Sequence, residues 1–201
     1  MQTSGSLLNH DAAPREDHSV LFDGVTWEDY ERLLALRGEK SVPRLTYLEG
    51  VLEIMSPSRD HEGIKSLIGR LVEAWCFDRD IEFMPYGSWT LKDRPTQRGA
   101  EPDECYIFGG QSRESPQLVI EVEWTWGGLD KLRVYEKLGV DEVWFWRKGI
   151  IEVYVRSEGS FVREPRSRVL PELDLEVLAS VLDRPSVTKA IRDFRAALQQ
   201  R

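Results

Sequence analysis

The sequence predicts an α/β fold in which a mixed β-sheet is flanked by helices. Residues 60–77 have the apolar period of an amphipathic helix, and the segments around them have the alternating or continuous apolar character of strands. The chain has 201 residues, 41% hydrophobic and 31% charged, which suffices for one domain with its own core. Helices and strands interleave along the chain, an order typical of a sheet covered by helices.

The first segment differs in composition from the rest of the chain. Residues 1–20 mix Ser, Gly, Asn, Asp and Pro without periodicity and are predicted to form a flexible N-terminal tail. Residues 21–201 are predicted to form a single domain with a C-terminal helical extension, because no Gly- or Ser-rich linker interrupts them.

The N-terminal half of this domain is predicted to contain a helix, a hairpin and a second helix. Thr26 can cap a helix over 27–36, and strands at 44–48 and 51–55 flank the turn pair Glu49-Gly50. In the helix over 60–77 the apolar residues share one stripe that must face a sheet: Ile64, Leu67, Ile68, Leu71, Val72 and Trp75.

The C-terminal half is predicted to contain further strands and two helical regions. Strands are expected at 81–84, 88–91, 104–108, 117–124, 142–146, 150–155 and 160–163. A helix over 129–138 ends at Gly139, and helical segments follow at 175–182 and 186–198.

Charge and cysteine content narrow the class of protein. Lys and Arg number 27 against 35 Asp and Glu, so the net charge of −8 argues against a protein that coats nucleic acid, although a nuclease metal site is itself acidic. No apolar run approaches the ~20 residues of a spanning helix. Cys76 and Cys105 lie in apolar contexts and are expected to be buried thiols, and with no leader in the sequence we expect a cytoplasmic location.

Acidic residues stand inside a strand that is otherwise apolar. In the segment 117–124, Glu121 and Glu123 lie on the same face, ~7 Å apart along the strand. Glu123 near the strand end can simply be solvated. A buried Glu121 needs a cation, a metal ion or a dense set of donors.

Two further residues could complete a site around Glu121. Asp103 precedes the strand at 104–108, and two acids at adjacent strand ends can hold Mg²⁺, although an Asp there can also be only a turn residue. Gly127-Gly128 allow a sharp reversal that returns Lys131 toward the strand end, where it could neutralise a phosphate. The alternative for Lys131 is a surface charge.

His61 extends the apolar stripe of the helix over 60–77 toward its N-terminus. It is either a buried, hydrogen-bonded histidine or a residue that faces the acids and contacts phosphate or a metal-bound water. Trp124 and Trp126 could stack on bases, but their alternating placement at a strand edge favours core or interface packing.

These residues resemble a known nuclease pattern. Pro102-Asp103, Glu121 and a following lysine resemble the PD-(D/E)xK restriction-endonuclease-like superfamily, and the chain looks most like its Uma-two family over residues 22–156. The matching segments are Tyr47–Pro57 with His61-Glu62, Glu101–Asp103, Leu118–Val122, Gly127–Leu132 and Tyr135–Trp144.

The resemblance implies a restriction-endonuclease-like core in which Asp103 and Glu121 bind the metal. It departs from the superfamily pattern at Glu123, where a lysine is expected. Lys131 matches the position to which the lysine has moved in this family, and Glu123 could be a third ligand or a base that orients water.

The sequence therefore supports three hypotheses. The first is an Mg²⁺-dependent endonuclease, with Mn²⁺ as a substitute, that acts on DNA as a homodimer through Asp103, Glu121, Glu123, Lys131 and His61. The second is a nuclease-like binding or assembly module without turnover. The third is a plain α/β domain, in which Glu121 would contact an Arg or Lys. Five arginines are the expected DNA backbone contacts: Arg94, Arg98, Arg163, Arg166 and Arg168.

Overall fold

The computed structural model describes residues 16–110, 112–124 and 128–199. Within these residues the chain forms strands and helices in an interleaved order. The elements are β1 (His18–Asp23), α1 (Trp27–Arg37), β2 (Arg44–Leu48), β3 (Val51–Ser56), α2 (Arg59–Asp78), β4 (Phe83–Pro85), β5 (Leu91–Asp93), β6 (Arg98–Ala100), β7 (Glu104–Phe108), β8 (Leu118–Glu123), α3 (Lys131–Tyr135), β9 (Glu142–Arg147), β10 (Ile150–Ser157), β11 (Ser160–Glu164), α4 (Leu175–Ala179) and α5 (Val187–Leu198).

The strands form two sheets. One sheet has the order β1-β3-β2-β6-β5 and is antiparallel, and the other has the order β11-β10-β9-β8-β7-β4. In the second sheet β8 and β9 are parallel while the other neighbours are antiparallel, so this sheet is mixed. The predicted α/β class, a mixed sheet flanked by helices, is confirmed. The predicted hairpin belongs to the separate antiparallel sheet.

Helix α2 covers one face of the mixed sheet. Its predicted apolar stripe is buried against β8 and against α5, whose Phe194 is fully buried. Burying a Leu or Ile side chain contributes about 1.5–3 kcal/mol, so this stripe is a major part of the core. The helix begins at Arg59, one residue before the predicted start, because the Ser58 hydroxyl caps it by accepting a hydrogen bond from the His61 backbone N–H at 3.1 Å.

Helix α3 covers the opposite face of the same sheet. Val134 and Tyr135 pack there with Val119, Val143 and Phe145. Because β8 and β9 are covered on both faces, their sequences are apolar almost throughout, which is the pattern seen in the sequence.

The predicted tail over residues 1–20 needs a correction at its C-terminal end. Residues 1–15 lie outside the described part of the chain, but His18–Val20 belong to β1, which pairs antiparallel with β3. All six residues of β1 are exposed, so backbone hydrogen bonding holds the strand and no buried face is visible in the sequence. The folded domain therefore begins before residue 21.

Besides β1, strand β6 was not predicted from the sequence. Strand β6 has only three residues, Arg-Gly-Ala, and carries no hydrophobic alternation. A Cβ at Gly99 would overlap the ring of Tyr30, so glycine is required where α1 crosses this strand. The other predicted elements are present with bounds shifted by a few residues, and α3 is shorter than the predicted 129–138.

Two further expectations from the sequence concern the burial of the cysteines and the absence of a membrane-spanning helix. Cys76 and Cys105 are buried free thiols, as predicted. Among the described residues no helix combines the length and the apolar character that crossing a bilayer would need.

Candidate active site

Asp103 directly precedes β7 and lies next to Glu121 of the neighbouring strand β8. Glu104 pairs with Ile120 in the antiparallel β7–β8 register, so the next position places Asp103 opposite Glu121. Directly opposed residues have Cβ atoms ~4.5–5.5 Å apart. Both carboxylates are fully buried, and each therefore requires compensation by protein donors or a cation.

Asp103 is compensated by a backbone amide and two cationic side chains. Its Oδ2 accepts a hydrogen bond from the Val122 N–H at 2.7 Å, and its Oδ1 accepts from Arg44 and lies 2.9 Å from His61 Nε2. Burial favours the protonated acid, but Arg44 and His61 outweigh it and hold the pKa of Asp103 below its usual value. Asp103 is therefore ionised at neutral pH.

Glu121 is held by a lysine and a tyrosine. Lys131 Nζ lies 2.6 Å from Oε2, and the Tyr135 hydroxyl donates to Oε1. Burial raises the pKa of Glu121; Lys131 opposes this rise, and Asp103 adds to it. Contact with a lysine is the arrangement that the third hypothesis predicts, and it also brings the predicted site residues Glu121 and Lys131 together.

Lys131 reaches Glu121 because α3 begins directly beside the end of β8. Asp130 caps the helix, its side chain accepting from the Arg133 N–H, and Lys131 is the first helical residue. A Cβ at Gly128 would lie 2.8 Å from Glu53 Oε1, so a glycine lets the connection pass close to β3. Burial would lower the pKa of Lys131, but Glu121 and Asp103 outweigh it and hold the pKa above its usual value.

His61 connects Asp103 with the segment that precedes β1. It is fully buried, with Nδ1 2.7 Å from Asp17 Oδ2 and Nε2 facing Asp103. Burial would lower the pKa of His61, but Asp103 and Asp17 raise it to about 9, so the ring is an imidazolium that donates from both nitrogens. The structure thus shows a buried, hydrogen-bonded histidine that faces an acid, and contact with phosphate or a metal-bound water stays a prediction.

Arg44 is a site residue that the sequence analysis missed. It is buried at the start of β2, where it contacts Asp103 and also donates from Nη2 to Glu62 Oε1 at 2.7 Å. No sequence signal indicated this burial, because Arg44 shares a face of the strand with the polar Thr46 rather than with the apolar Leu45, and that alternation predicts an exposed side chain. Asp17 was missed as well, since it fell within the predicted tail.

Glu123 does not join the contacts around Asp103 and Glu121. Its side chain is 23% exposed and accepts from Arg147 Nε at 2.7 Å, while Arg147 Nη1 also donates to Glu152 at 2.6 Å. Trp124 packs edge-on against Trp146 with ring centroids 5.0 Å apart, as a packing residue would. Trp126 and Gly127 lie outside the described residues.

A cleft of about 300 Å³ lies between the two sheets beside this cluster. The antiparallel sheet contributes Arg44, Thr46, Glu53 and Met55, and the other wall comes from β8, β9 and the start of α3. Arg44 and Lys131 line the cleft and also contact the buried acids, so they connect the acids with the cleft. The lining carries both signs of charge, because Glu123, Asp130 and Arg147 also contribute to it.

Asp103 and Glu121 can be tested as ligands of a divalent cation. Among the described residues there is no group of three or more His, Cys, Asp or Glu side chains that could hold a metal ion. Mg²⁺, however, commonly uses one or two carboxylates together with waters and substrate phosphate. Asp103 Oδ2 and both oxygens of Glu121 each accept one hydrogen bond, which leaves a lone pair on each oxygen. The free lone pairs are of the kind that a hard cation takes, and metal binding by this pair stays a prediction.

Comparison with known proteins adds a family match. The model of the Uma2 family, described as "Putative restriction endonuclease", matches residues 27–184. No curated protein matches the chain. A solved structure from Anabaena variabilis ATCC 29413, described as a "putative nuclease belonging to DUF820", is similar with 16% identity and a TM-score of 0.45, covering 80% of this chain and 96% of that chain. The family match includes Asp103, Glu121 and Lys131, whereas Asp17 and β1 lie outside it.

Proposed function

Because this chain belongs to the Uma2 restriction endonuclease family, we propose that it is a metal-dependent endonuclease that hydrolyses phosphodiester bonds of DNA. One observation carries the proposal. Lys131 contacts Glu121 opposite Asp103, although it follows Glu121 by ten residues along the chain. The expected lysine is missing at position 123, and the fold supplies one from α3 instead.

The acids and the lysine have separate roles in the proposed reaction. Asp103 and Glu121 would hold Mg²⁺ or Mn²⁺, which when bound supplies positive charge at the scissile phosphate and favours the deprotonation of water. Lys131 is a buried cation beside Glu121 and at the cleft wall, so it can stabilise negative charge that develops on the phosphate. His61 has no direct access to solvent, and we assign it the positioning of Asp103.

Glu123 has a more peripheral role in this proposal. Its carboxylate lines the cleft but is oriented by Arg147, so it is placed to orient water rather than to bind the metal beside Asp103. Two acids and one lysine then remain as the proposed core of the site.

Contacts with the DNA backbone are expected to be few. Of the five arginines predicted for this role, four form ion pairs with acidic side chains: Arg94 with Glu28, Arg98 with Glu49, Arg163 with Glu152 and Arg168 with Glu164. Arg98 is in addition buried. Arg44 and Lys131 in the cleft are therefore better placed to contact a phosphate than the predicted surface arginines.

Nicking of plasmid DNA tests the proposed function. With Mg²⁺ or Mn²⁺ the protein should nick the plasmid, and Asp103→Asn, Glu121→Gln and Lys131→Met should each abolish nicking. Glu142→Gln is a matched control, because Glu142 is a fully buried acid of the same sheet that accepts from Trp144 and from the Arg168 N–H. This variant should still nick when folded. Nicking that survives both Asp103→Asn and Glu121→Gln would refute the assignment.

The second candidate is a binding or assembly module without turnover. One observation favours this candidate: Arg44, His61 and Lys131 pair with the negative charges of Asp103 and Glu121, so these acids need no metal ion. Calorimetric titration with Mn²⁺ separates the candidates, since the module predicts no binding at Asp103 and Glu121. The endonuclease predicts binding that Asp103→Asn abolishes.

We also propose a homodimer, because cleavage of both strands of a duplex is simplest with two active sites. Sedimentation velocity should give twice the chain mass of 23.2 kDa. A monomer at every protein concentration would contradict this expectation while leaving single-strand nicking intact.

A further inference from the structure

We propose that Arg44, which contacts Asp103, competes with a divalent cation for this carboxylate. The inference rests on the proposed function, because it concerns the same acids. It makes Arg44 a positioning residue that withdraws from Asp103 when the cation binds.

The two carboxylate oxygens of Asp103 contact different kinds of donor, one a backbone amide and the other two cationic side chains. Oδ2 accepts from the Val122 N–H, a backbone group fixed within β8. Oδ1 takes both cationic side chains, Arg44 and His61. A cation that binds Asp103 must therefore share this carboxylate with two positive charges.

The charges of the two acids are compensated by neighbouring side chains. Asp103 and Glu121 face Arg44, His61 and Lys131, and Arg44 and His61 also pair with Glu62 and Asp17, so four acids and three cations give a net charge of 3 − 4 = −1. Adding a divalent cation would leave excess positive charge in a poorly solvated site, which is strongly unfavourable. At least one of the three cationic side chains has to move away.

Arg44 is the cationic side chain that can move with the least loss. His61 is held at both nitrogens, and Lys131 contacts the other acid. The second acidic partner of Arg44, Glu62, has a side chain that is 40% exposed, whereas the second acidic partner of His61, Asp17, is only 13% exposed. Arg44 also lines the cleft, so it can leave Asp103, remain paired with Glu62 and face a bound phosphate.

An unsatisfied donor supports this mobility. The Nε of Arg44 is buried and has no hydrogen-bond partner among the described residues. A buried donor without a partner is destabilising, so a displacement that gave it a partner would recover a hydrogen bond. Displacement toward the cleft would expose this donor to water or to a phosphate oxygen. The Nε of Arg98 is buried and, within the described part of the chain, unpaired in the same way, which matches the two arginines in this respect.

The affinity for Mn²⁺ tests the competition directly. Calorimetry should show that Arg44→Gln binds Mn²⁺ about tenfold or more tightly than the unmodified protein, because the variant removes a competing charge next to Asp103. Arg98→Gln is the matched control, since Arg98 is a buried arginine paired with Glu49, and its Mn²⁺ affinity should not change.

A measurement on the unmodified protein covers the case in which Arg44→Gln does not fold. Saturating Mg²⁺ should shift the guanidinium NMR signals of Arg44 and leave those of Arg98 in place. Equal Mn²⁺ affinity of Arg44→Gln and the unmodified protein, or unshifted Arg44 signals with Mg²⁺ bound, would overturn the inference and leave the proposed function standing. Absence of metal binding in every variant would reject both.

Discussion

Buried charges in this protein are stabilised by specific partners rather than by solvent. Glu121 is fully buried, and the side chain of its partner Lys131 is only 12% exposed. If one partner were removed, water could not stabilise the remaining charge. The pair should therefore contribute more to stability than the many surface ion pairs of the same chain. This difference can be measured as stability.

Lys131→Met should lower the free energy of unfolding by about 3–5 kcal/mol, because it leaves Glu121 without its cation in a buried site. Urea unfolding followed by circular dichroism measures the change. The control Lys92→Met removes an exposed pair with Glu31, 3.0 Å long, and should leave stability nearly unchanged. Equal effects of the two substitutions would show that Glu121 is solvated in the folded protein.

The two thiols should be unreactive while the protein is folded. Burial raises the pKa of Cys76 and of Cys105 to about 12, so almost no thiolate forms in mildly alkaline buffer. An aromatic disulfide reagent should modify neither cysteine in native protein and both in denaturant. Rapid modification of a native thiol would contradict the burial of that residue.

The site residues that were predicted are those that adjoin a strand or helix visible in the sequence. Asp103 and Glu121 adjoin apolar strands, and His61 continues a visible helical stripe. Arg44 contacts Asp103, which lies 59 residues later in the chain. Asp17 contacts His61, which lies 44 residues later. Such contacts depend on how the antiparallel sheet packs against α2, and no local pattern encodes that packing.

Among the elements, α2 links the core of the protein to the candidate site. Its apolar stripe is buried, while its first turn carries His61 and Glu62 toward Asp103 and Arg44. The N-cap Ser58 is therefore both a helix-stabilising residue and a neighbour of the site. Helix α5 has an N-cap of the same kind, Ser186, which lies away from these residues.

Ser58→Ala and Ser186→Ala should each destabilise the fold by about 1 kcal/mol, because each removes the acceptor of an N-terminal backbone N–H. The hydrogen bonds are similar, 3.1 Å to the His61 N–H and 3.2 Å to the Lys189 N–H. Only Ser58→Ala should change the NMR signals of the His61 ring. An unchanged ring in that variant would separate the cap from the site.

Element prediction from the sequence succeeded where burial leaves a pattern in the sequence and failed where it leaves none. The apolar stripe of α2 and the nearly continuous apolar character of β8 and β9 follow directly from packing against a core. Strand β1 has six exposed residues, and its position depends on hydrogen bonds to the backbone of β3. Its membership in a sheet is therefore a tertiary property.

At the scale of the whole molecule, the net charge of −8 limits how strongly DNA can be held. The cleft between the sheets contains Arg44, Lys131 and Arg147, but Glu53 and Glu123 line it too. A divalent cation on Asp103 and Glu121 would make the electrostatic potential of the cleft more positive than any single arginine can. The affinity for DNA should therefore depend on the cation.

Fluorescence anisotropy with a short duplex should show weak binding in chelator and tighter binding in Ca²⁺ than in NaCl of equal ionic strength. Ca²⁺ is suitable because it takes the same oxygen ligands as Mg²⁺, with more flexible geometry. Asp103→Asn should remove the gain, whereas Asp141→Asn, which affects an acid paired with Arg113, should keep it. Tight binding in chelator with a steep salt dependence would instead indicate a basic surface that holds DNA through the phosphates alone.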